Sequence, residues 1–109
     1  MLFIDKLTTP KGIERSEPEQ QRVDEVTKNM VLYQFKTCPF CMKVRREIKR
    51  QSLNIELRDA QHNQEYRAQL QKGGGQVKVP CLRNVNDQGE ETWLYESDQI
   101  IDYLKQKAA

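Results

Sequence analysis

The sequence predicts an α/β fold in which helices flank a mixed sheet of four strands. An apolar, aromatic run over residues 30–35 has the composition of a buried strand. Strand and helix patterns alternate after it, and a strand–helix–strand unit favours a parallel pair joined by a right-handed crossover. Two further strand patterns around the turn sequence NDQGE add an antiparallel hairpin. The predicted order of the domain is β-α-β-α-β-β-α, preceded by one extra helix.

Residues 1–28 differ in composition from the rest, and we predict that they form an N-terminal extension to a domain over residues 29–109. They are polar and poor in aromatic residues. Within them, the sequence SEPE has a serine that can cap a helix, a proline that fits a first turn and a glutamate where a capping box needs one. The short helix that follows, to about Lys28, carries little apolar surface beyond Val23 and Val26, so we expect it to dock loosely.

The first strand of the domain and the helix after it are placed from a proline and from apolar spacing. The strand over residues 30–35 ends at a Thr-Cys-Pro turn, and Pro39 suits the first turn of a helix. Helical spacing from there puts three apolar side chains on one face: Cys41, Val44 and Ile48. Basic side chains fall largely on the other face, and we expect the helix to end near Ser52.

The rest of the domain alternates between strand and helix patterns. Residues 54–59 alternate apolar and polar side chains, as a second strand does. Tyr66 and Leu70 stand four apart in a second helix over residues 61–75, whose glycines after Lys72 mark its end. The sequences VKVPCLRNV and TWLY are predicted to form the hairpin. The sequence ESDQIIDYLKQK is predicted to form the closing helix, with three inward apolar residues: Ile100, Ile101 and Leu104.

Length, charge and cysteine content argue against several classes of protein. A chain of 109 residues fits one small domain. The first apolar stretch ends after four residues at Asp5, too short for a membrane-spanning helix or a signal peptide. A formal net charge of +2 without an aromatic stripe argues against nucleic-acid binding. Three cysteines form an odd and sparse set, unlike that of a disulfide-rich secreted domain, so we expect a reducing compartment, the cytoplasm.

The sequence KTCPFC places Cys38 and Cys41 three apart where a strand passes into a helix. At a helix start, unpaired backbone N–H groups and the positive end of the helix dipole stabilise a thiolate. Cys38 is therefore the predicted attacking sulfur, and Cys41, one turn inside the helix, is the predicted resolving sulfur. Lys36 adds a positive charge nearby, within a segment, residues 36–50, that holds six basic residues against one acidic residue.

Two other uses of the cysteines fit the sequence less well. A zinc site would draw on Cys38, Cys41, Cys81 and His62, but the last two lack the paired spacing of zinc ligands. Cys81 is better explained as a small buried strand residue, and His62 as a surface residue. A static structural disulfide does not suit a reducing compartment. The pair is predicted to be a redox centre, with no metal expected.

The motifs KTCPFC after a strand, VP opening a later strand and ESD opening the last helix resemble glutaredoxins, over residues 30 to about 107. The resemblance implies a thioredoxin-like fold and a glutathione-dependent thiol–disulfide oxidoreductase. Its substrates would be protein disulfides or protein–glutathione mixed disulfides, and CPFC looks like the dithiol type of the family. We accordingly expect glutathione as co-substrate, client proteins as partners, and a monomer.

The resemblance also implies a glutathione-binding site, carried over residue by residue. Its members are Lys36, Phe40, Val79, Pro80, Glu96, Ser97 and Asp98. Lys36 would meet the glycine carboxylate, and Ser97 and Asp98 would hold the γ-glutamyl end. Val79, which precedes a cis-proline in this fold, would pair its backbone with the cysteine of the tripeptide. The sequence YESDQIIDYL is also similar to the Glu-Ser segment of glutathione transferase N-terminal domains, which adds Glu96 as a contact.

The sequence departs from the glutaredoxin pattern at two places, and two alternative functions are open beside the expected one. Lys78 stands where glutaredoxins commonly have a threonine, which adds charge to the groove, and Tyr95 and Glu96 replace a Gly-Gly pair. One alternative is a carrier or sensor that holds a glutathione-ligated iron–sulfur cluster through Cys38 across a dimer, against which Pro39 argues. Another is a thioredoxin-like reductase that an enzyme reduces instead of glutathione.

Overall fold

The computed structural model describes residues 12–109, and it contains every helix and strand that the sequence predicts in that range. The helices are α1 (Glu17–Thr27), α2 (Pro39–Arg50), α3 (Gln64–Gly74) and α4 (Ser97–Ala108). The strands are β1 (Val31–Gln34), β2 (Glu56–Asp59), β3 (Cys81–Val85) and β4 (Glu91–Leu94). Residues 1–11, with the apolar start that we considered too short for a membrane segment, lie outside the described part of the chain. Within residues 12–109, no helix has the length and apolarity needed to cross a bilayer.

The four strands form one mixed sheet in the order β2-β1-β3-β4. β1 pairs with β2 in parallel, and β3 pairs antiparallel with both β1 and β4. α2 forms the crossover between β1 and β2, as a parallel pair requires. The predicted mixed four-stranded sheet is confirmed.

Alternation along β1 and β3 divides the core into two layers. Leu32 and Leu82, opposite each other in the register, belong to the cluster shared with α1, α2 and α4. Tyr33 and Cys81, the next opposed pair, belong to the cluster shared with α3. All four side chains are at most 1% exposed. Helices therefore cover both faces of the sheet, and α2 lies on the three-helix face.

α1 is part of the core, contrary to the expectation of loose docking. Val23 is completely buried and Thr27 is 1% exposed. Val23 belongs to the same cluster as Ile100 and Leu104 of α4. A thin apolar stripe is enough here because it meets the apolar face of another helix, which the sequence of α1 alone does not show.

The segment before α1 closes the C-terminal end of α2. A helix leaves its last carbonyl groups without partners inside the helix. The N–H of Ile13 donates to the carbonyl of Arg50 at 3.0 Å, and the Arg15 guanidinium donates to the carbonyl of Gln51 at 2.6 Å. The hydroxyl of Ser52 donates in turn to the carbonyl of Ile13 at 2.7 Å. Residues 13–15 thus stabilise the helix that carries the CxxC motif.

β3 begins later than predicted. It starts at Cys81 and not at residue 77, because Pro80 has no N–H to contribute to a sheet ladder. The peptide bond between Val79 and Pro80 is cis, as the resemblance to glutaredoxins implies. Val79 therefore lies just outside the paired part of the strand.

The glycines at the end of α3 do more than stop the helix. α3 continues through Gly74 and is capped by Gly75, which has a left-handed backbone with φ of 96°. At Gly73, a Cβ atom would lie 2.1 Å from the ring of Trp93. The missing side chain thus lets Trp93 pack directly against the helix backbone.

Replacing Val23 by alanine should lower the free energy of unfolding by about 1–3 kcal/mol, because it removes two buried methyl groups and leaves a cavity. Val26, on the same helix but only partly buried against the same cluster, provides the matched control, and Val26→Ala should cost less. Urea unfolding followed by far-UV circular dichroism measures both losses. If both substitutions lowered the free energy of unfolding by an equally small amount, the burial of α1 in the core through Val23 would be contradicted.

Candidate functional site

Cys38 and Cys41 occupy the start of α2. Cys38 immediately precedes the helix, with an extended backbone (φ −72°, ψ 124°) and a partly exposed side chain. Cys41 lies inside the helix and is completely buried. The N–H of Cys38 donates to the carbonyl of Phe35 at 3.2 Å, and its carbonyl accepts from the N–H of Met42 at 2.9 Å. Neither thiol is in a disulfide bond in this structure.

The surroundings of Cys38 favour its thiolate. Burial on its own raises the pKa of the Cys38 thiol, but several groups act in the opposite direction. They are the backbone N–H and the thiol of Cys41, the backbone N–H of Phe40, and the positive charge of Arg45. The resulting pKa lies below the usual value for a cysteine, as expected at the start of a helix.

Cys41 is held as a neutral thiol. Burial, the main cause, and the neighbouring Cys38 together raise the pKa of Cys41 to about 11. The N–H of Phe35 donates to the Cys41 sulfur at 3.4 Å, which offsets only part of that rise. The pKa values of the two thiols are thus shifted in opposite directions, and Cys38, the more readily ionised of the two, is the better nucleophile.

A groove of about 230 Å³ lies between Phe40 of α2, the segment before β3 and the start of α4. Residues from these three distant segments line it: Phe40, Lys78, Val79, Pro80, Tyr95, Glu96, Ser97 and Asp98. The structure thus brings together all of the predicted glutathione contacts except Lys36. Tyr95, which directly precedes the ESD motif, also lines the groove, and the sequence analysis did not predict this.

Among residues 12–109, no side chain at the N-cap position closes the start of α4, which lies at this groove. Glu96 takes the position before the helix, and its side chain makes no capping hydrogen bond. The first N–H groups of a helix have no acceptor within the helix, and with the helix dipole they form a binding site for carboxylates. Ser97 and Asp98, the first two helical residues, line the groove beside these donors.

Two acidic side chains at the groove are paired with lysines. Lys78 lies 3.2 Å from Glu96, and Lys43 lies 2.6 Å from Asp98. All four side chains are more than half exposed, so each pair contributes only about 0–1 kcal/mol in water. A positively charged group of a ligand can therefore take the place of either lysine beside its carboxylate with little loss of free energy.

The sequence predicted Lys36 as the positive charge near Cys38, but in the structure Arg45 has this role. The side chain of Lys36 is exposed and does not line the groove. Arg45 lowers the pKa of Cys38 by its charge. It stands four residues after Cys41 and hence on the same side of α2, which is the signal that could have identified it.

Cys81 and His62 have separate surroundings. Cys81 is completely buried in β3, and burial raises its pKa to about 12, although a hydrogen bond with Tyr95 opposes the rise. His62 is exposed, with its Nδ1 3.1 Å from a carboxylate oxygen of Asp59. In the part of the chain that the structure describes, no three His, Cys, Asp or Glu side chains are arranged to hold a metal ion.

Comparison with known proteins gives a family that matches the sequence and a solved structure with a similar fold. Residues 32–109 match the family described as glutathione S-transferase, N-terminal domain. The fold is similar to that of the holo form of glutaredoxin C1 from Populus tremula x tremuloides, a crystal structure, with a TM-score of 0.53. The two chains are 14% identical, and the match covers 85% of this chain and 100% of that chain. No curated protein matches the sequence significantly. The predicted thioredoxin-like fold is confirmed.

Proposed function

The chain belongs to the family of glutathione S-transferase N-terminal domains, and on that premise we propose that it is a glutathione-dependent thiol–disulfide oxidoreductase. It reduces protein disulfides or protein–glutathione mixed disulfides. The observation that carries the proposal is Cys38, a partly exposed thiol of lowered pKa at the start of α2. A transferase activates the thiol of bound glutathione, whereas this chain offers a sulfur of its own for attack.

The proposed reaction starts with attack of the Cys38 thiolate on the glutathione sulfur of a mixed disulfide. A bond forms between Cys38 and glutathione, the bond to the client breaks, and the client leaves as a thiolate that takes up a proton from water. A free glutathione thiolate then attacks the glutathione sulfur on Cys38 and releases glutathione disulfide. The client is reduced and glutathione is oxidised, so the cycle needs a reducing glutathione pool, and we place the protein in the cytoplasm.

Cys41 provides a second way to clear the enzyme. Its sulfur attacks Cys38, glutathione leaves, and a Cys38–Cys41 disulfide forms, which two glutathione molecules reduce. Burial, the main cause of the raised pKa of Cys41, still acts when Cys38 carries glutathione, and it keeps most of the Cys41 thiol protonated at pH 7. We infer that free glutathione clears Cys38 faster than Cys41 does, whereas reduction of a protein disulfide requires both cysteines.

The groove supports glutathione as the co-substrate. The free N–H groups of α4 suit the carboxylate of its γ-glutamyl end, and Asp98 and Glu96 suit the ammonium. Val79 lies outside the paired part of β3, so its backbone groups can pair with a peptide in strand fashion. When the ligand ammonium replaces Lys78 at Glu96, that lysine becomes available to the glycine carboxylate, the role that the resemblance gave to Lys36.

Cys38→Ser should abolish the removal of glutathione from a glutathionylated model protein, because Cys38 is the attacking sulfur. Cys41→Ser should retain activity within about threefold, since free glutathione can still clear Cys38. Cys81→Ser is the matched control, a buried thiol outside the pair, and should retain full activity if the variant folds. Formation of glutathione disulfide, coupled to glutathione reductase, measures the rates. Full activity in Cys38→Ser would overturn the assignment.

Asp98→Ala should weaken glutathione binding about three- to tenfold, because it removes a charge-assisted contact to the ligand ammonium in a largely exposed setting. Asp102→Ala removes the same charge one turn further along α4 and should have little effect. Lys78→Met should weaken binding more than Lys36→Met. Titration watched by amide NMR measures the affinities, and shifts should cluster at residues 36–41, 78–81 and 96–99.

Two outcomes of this titration would contradict the proposed binding site. If Asp98→Ala and Asp102→Ala bound glutathione with equal affinity, the proposed contact between Asp98 and the ligand ammonium would be contradicted. Shifts confined to other parts of the chain would place glutathione elsewhere, even if the chemistry of the cysteine pair were intact.

Incubation with iron, sulfide and glutathione without oxygen tests the cluster-carrier alternative. We expect the protein to stay colourless and monomeric, since Pro39 fills the first helical position beside Cys38, where cluster-binding relatives often have a smaller residue. Visible absorption spectra and gel filtration are the measurements. A coloured dimer would favour the carrier or sensor function over catalysis.

A further inference from the structure

Arg45 reaches back from α2 to the end of β1. Its side chain points toward the start of the helix, as helical side chains do. One guanidinium nitrogen donates to the side-chain oxygen of Gln34 and to the carbonyl of Phe35 at 3.4 Å. The other terminal nitrogen donates to the carbonyl of Lys36 at 2.8 Å. One planar, charged group therefore binds acceptors from three consecutive residues.

The peptide groups of Phe35 contact both halves of the cysteine pair. The N–H of Phe35 donates to the Cys41 sulfur at 3.4 Å, and its carbonyl accepts from the N–H of Cys38 at 3.2 Å. That carbonyl is also an acceptor for Arg45. Arg45 thus holds the piece of backbone to which both cysteines are hydrogen-bonded.

The hydrogen bonds from Arg45 to Gln34 and Phe35 are partly buried, whereas the one to the Lys36 carbonyl is exposed. Gln34 is only 8% exposed, and Arg45 itself is partly buried. Hydrogen bonds from a charged donor gain strength where water is partly excluded. Lys43, by contrast, makes its ion pair with Asp98 on the exposed surface of the same helix.

We propose that Arg45 is a positioning residue of the redox pair, which ties the turn of residues 35–38 to α2 and brings a positive charge to both sulfurs. This inference rests on the proposed function of the pair. The fork geometry of arginine holds the turn, and its charge favours the thiolate of Cys38 over the thiol. The two roles can be separated, because lysine keeps the charge but lacks the fork.

The test compares the full chain with Arg45→Met, Arg45→Lys and the control Lys49→Met. Lys49→Met removes a charge from the same helix one turn further from Cys38, where the side chain is exposed. The rate of Cys38 alkylation by iodoacetamide is followed against pH. Fragmentation of the peptides in the mass spectrometer distinguishes Cys38 from the buried Cys41 and Cys81. Hydrogen exchange of the Cys38 amide reports on the turn.

Arg45→Met should move the midpoint of Cys38 alkylation to higher pH, because a positive charge near the thiolate is lost. Below that midpoint, the rate should fall about three- to tenfold. Arg45→Lys should restore the midpoint but not the protection of the Cys38 amide, which should exchange at least about threefold faster than in the unmodified chain. Lys49→Met should change neither the midpoint of Cys38 alkylation nor the exchange rate of the Cys38 amide.

An unchanged midpoint in Arg45→Met, or an equal shift in Lys49→Met, would overturn the inference. If Arg45→Met does not fold, Arg45→Lys decides, and an unchanged exchange rate of its Cys38 amide would overturn the positioning role. Failure of the proposed function would look different, because Cys38 of the unmodified chain would then show no enhanced alkylation near neutral pH.

Discussion

The candidate site depends on two helices that begin without a side-chain cap: α2, which begins directly after Cys38, and α4, which starts at the groove. α1 and α3 are capped in the usual way, by Ser16 at 3.4 Å and by Asn63 at 3.0 Å. α2 and α4 follow Cys38 and Glu96, whose side chains make no capping hydrogen bond. Replacing a good cap costs about 0.5–2 kcal/mol. The free N–H groups that result are the donors that stabilise a thiolate and, in the proposed function, bind a carboxylate.

The rest of α2 offsets the weak start of that helix. Val44 and Ile48 bury its apolar face against the three-helix side of the sheet. At its other end, residues 13–15 satisfy carbonyl groups, and two basic residues in the last turn complement the helix dipole. Although residues 12–28 differ in composition from the rest of the chain, they therefore share its core and support α2, the helix that follows Cys38.

Local rules predicted the elements of the fold, and the family resemblance predicted most of the residues that line the groove. Prolines, glycines and apolar spacing mark the elements, and the sheet order then brings three short motifs to one place. Whether these residues bind glutathione stays a prediction. Local rules miss contacts between distant groups. Val23 is buried because α4 meets it, and Arg45 finds its acceptors only because the turn after β1 lies against α2.

The six basic residues of the segment 36–50 act on the site less than their number suggests. Lys43 is paired with Asp98 at 2.6 Å, and Arg50 is paired at 2.6 Å with Glu47, whose side chain is only 10% exposed. Arg45 is the cation of this segment that acts on both sulfurs. Charge interactions weaken with distance and with exposure to water, so a cation matters only where it is close and partly shielded. Of the basic residues that follow the CxxC motif, the one whose charge lowers the pKa of both thiols is therefore Arg45, four positions after Cys41.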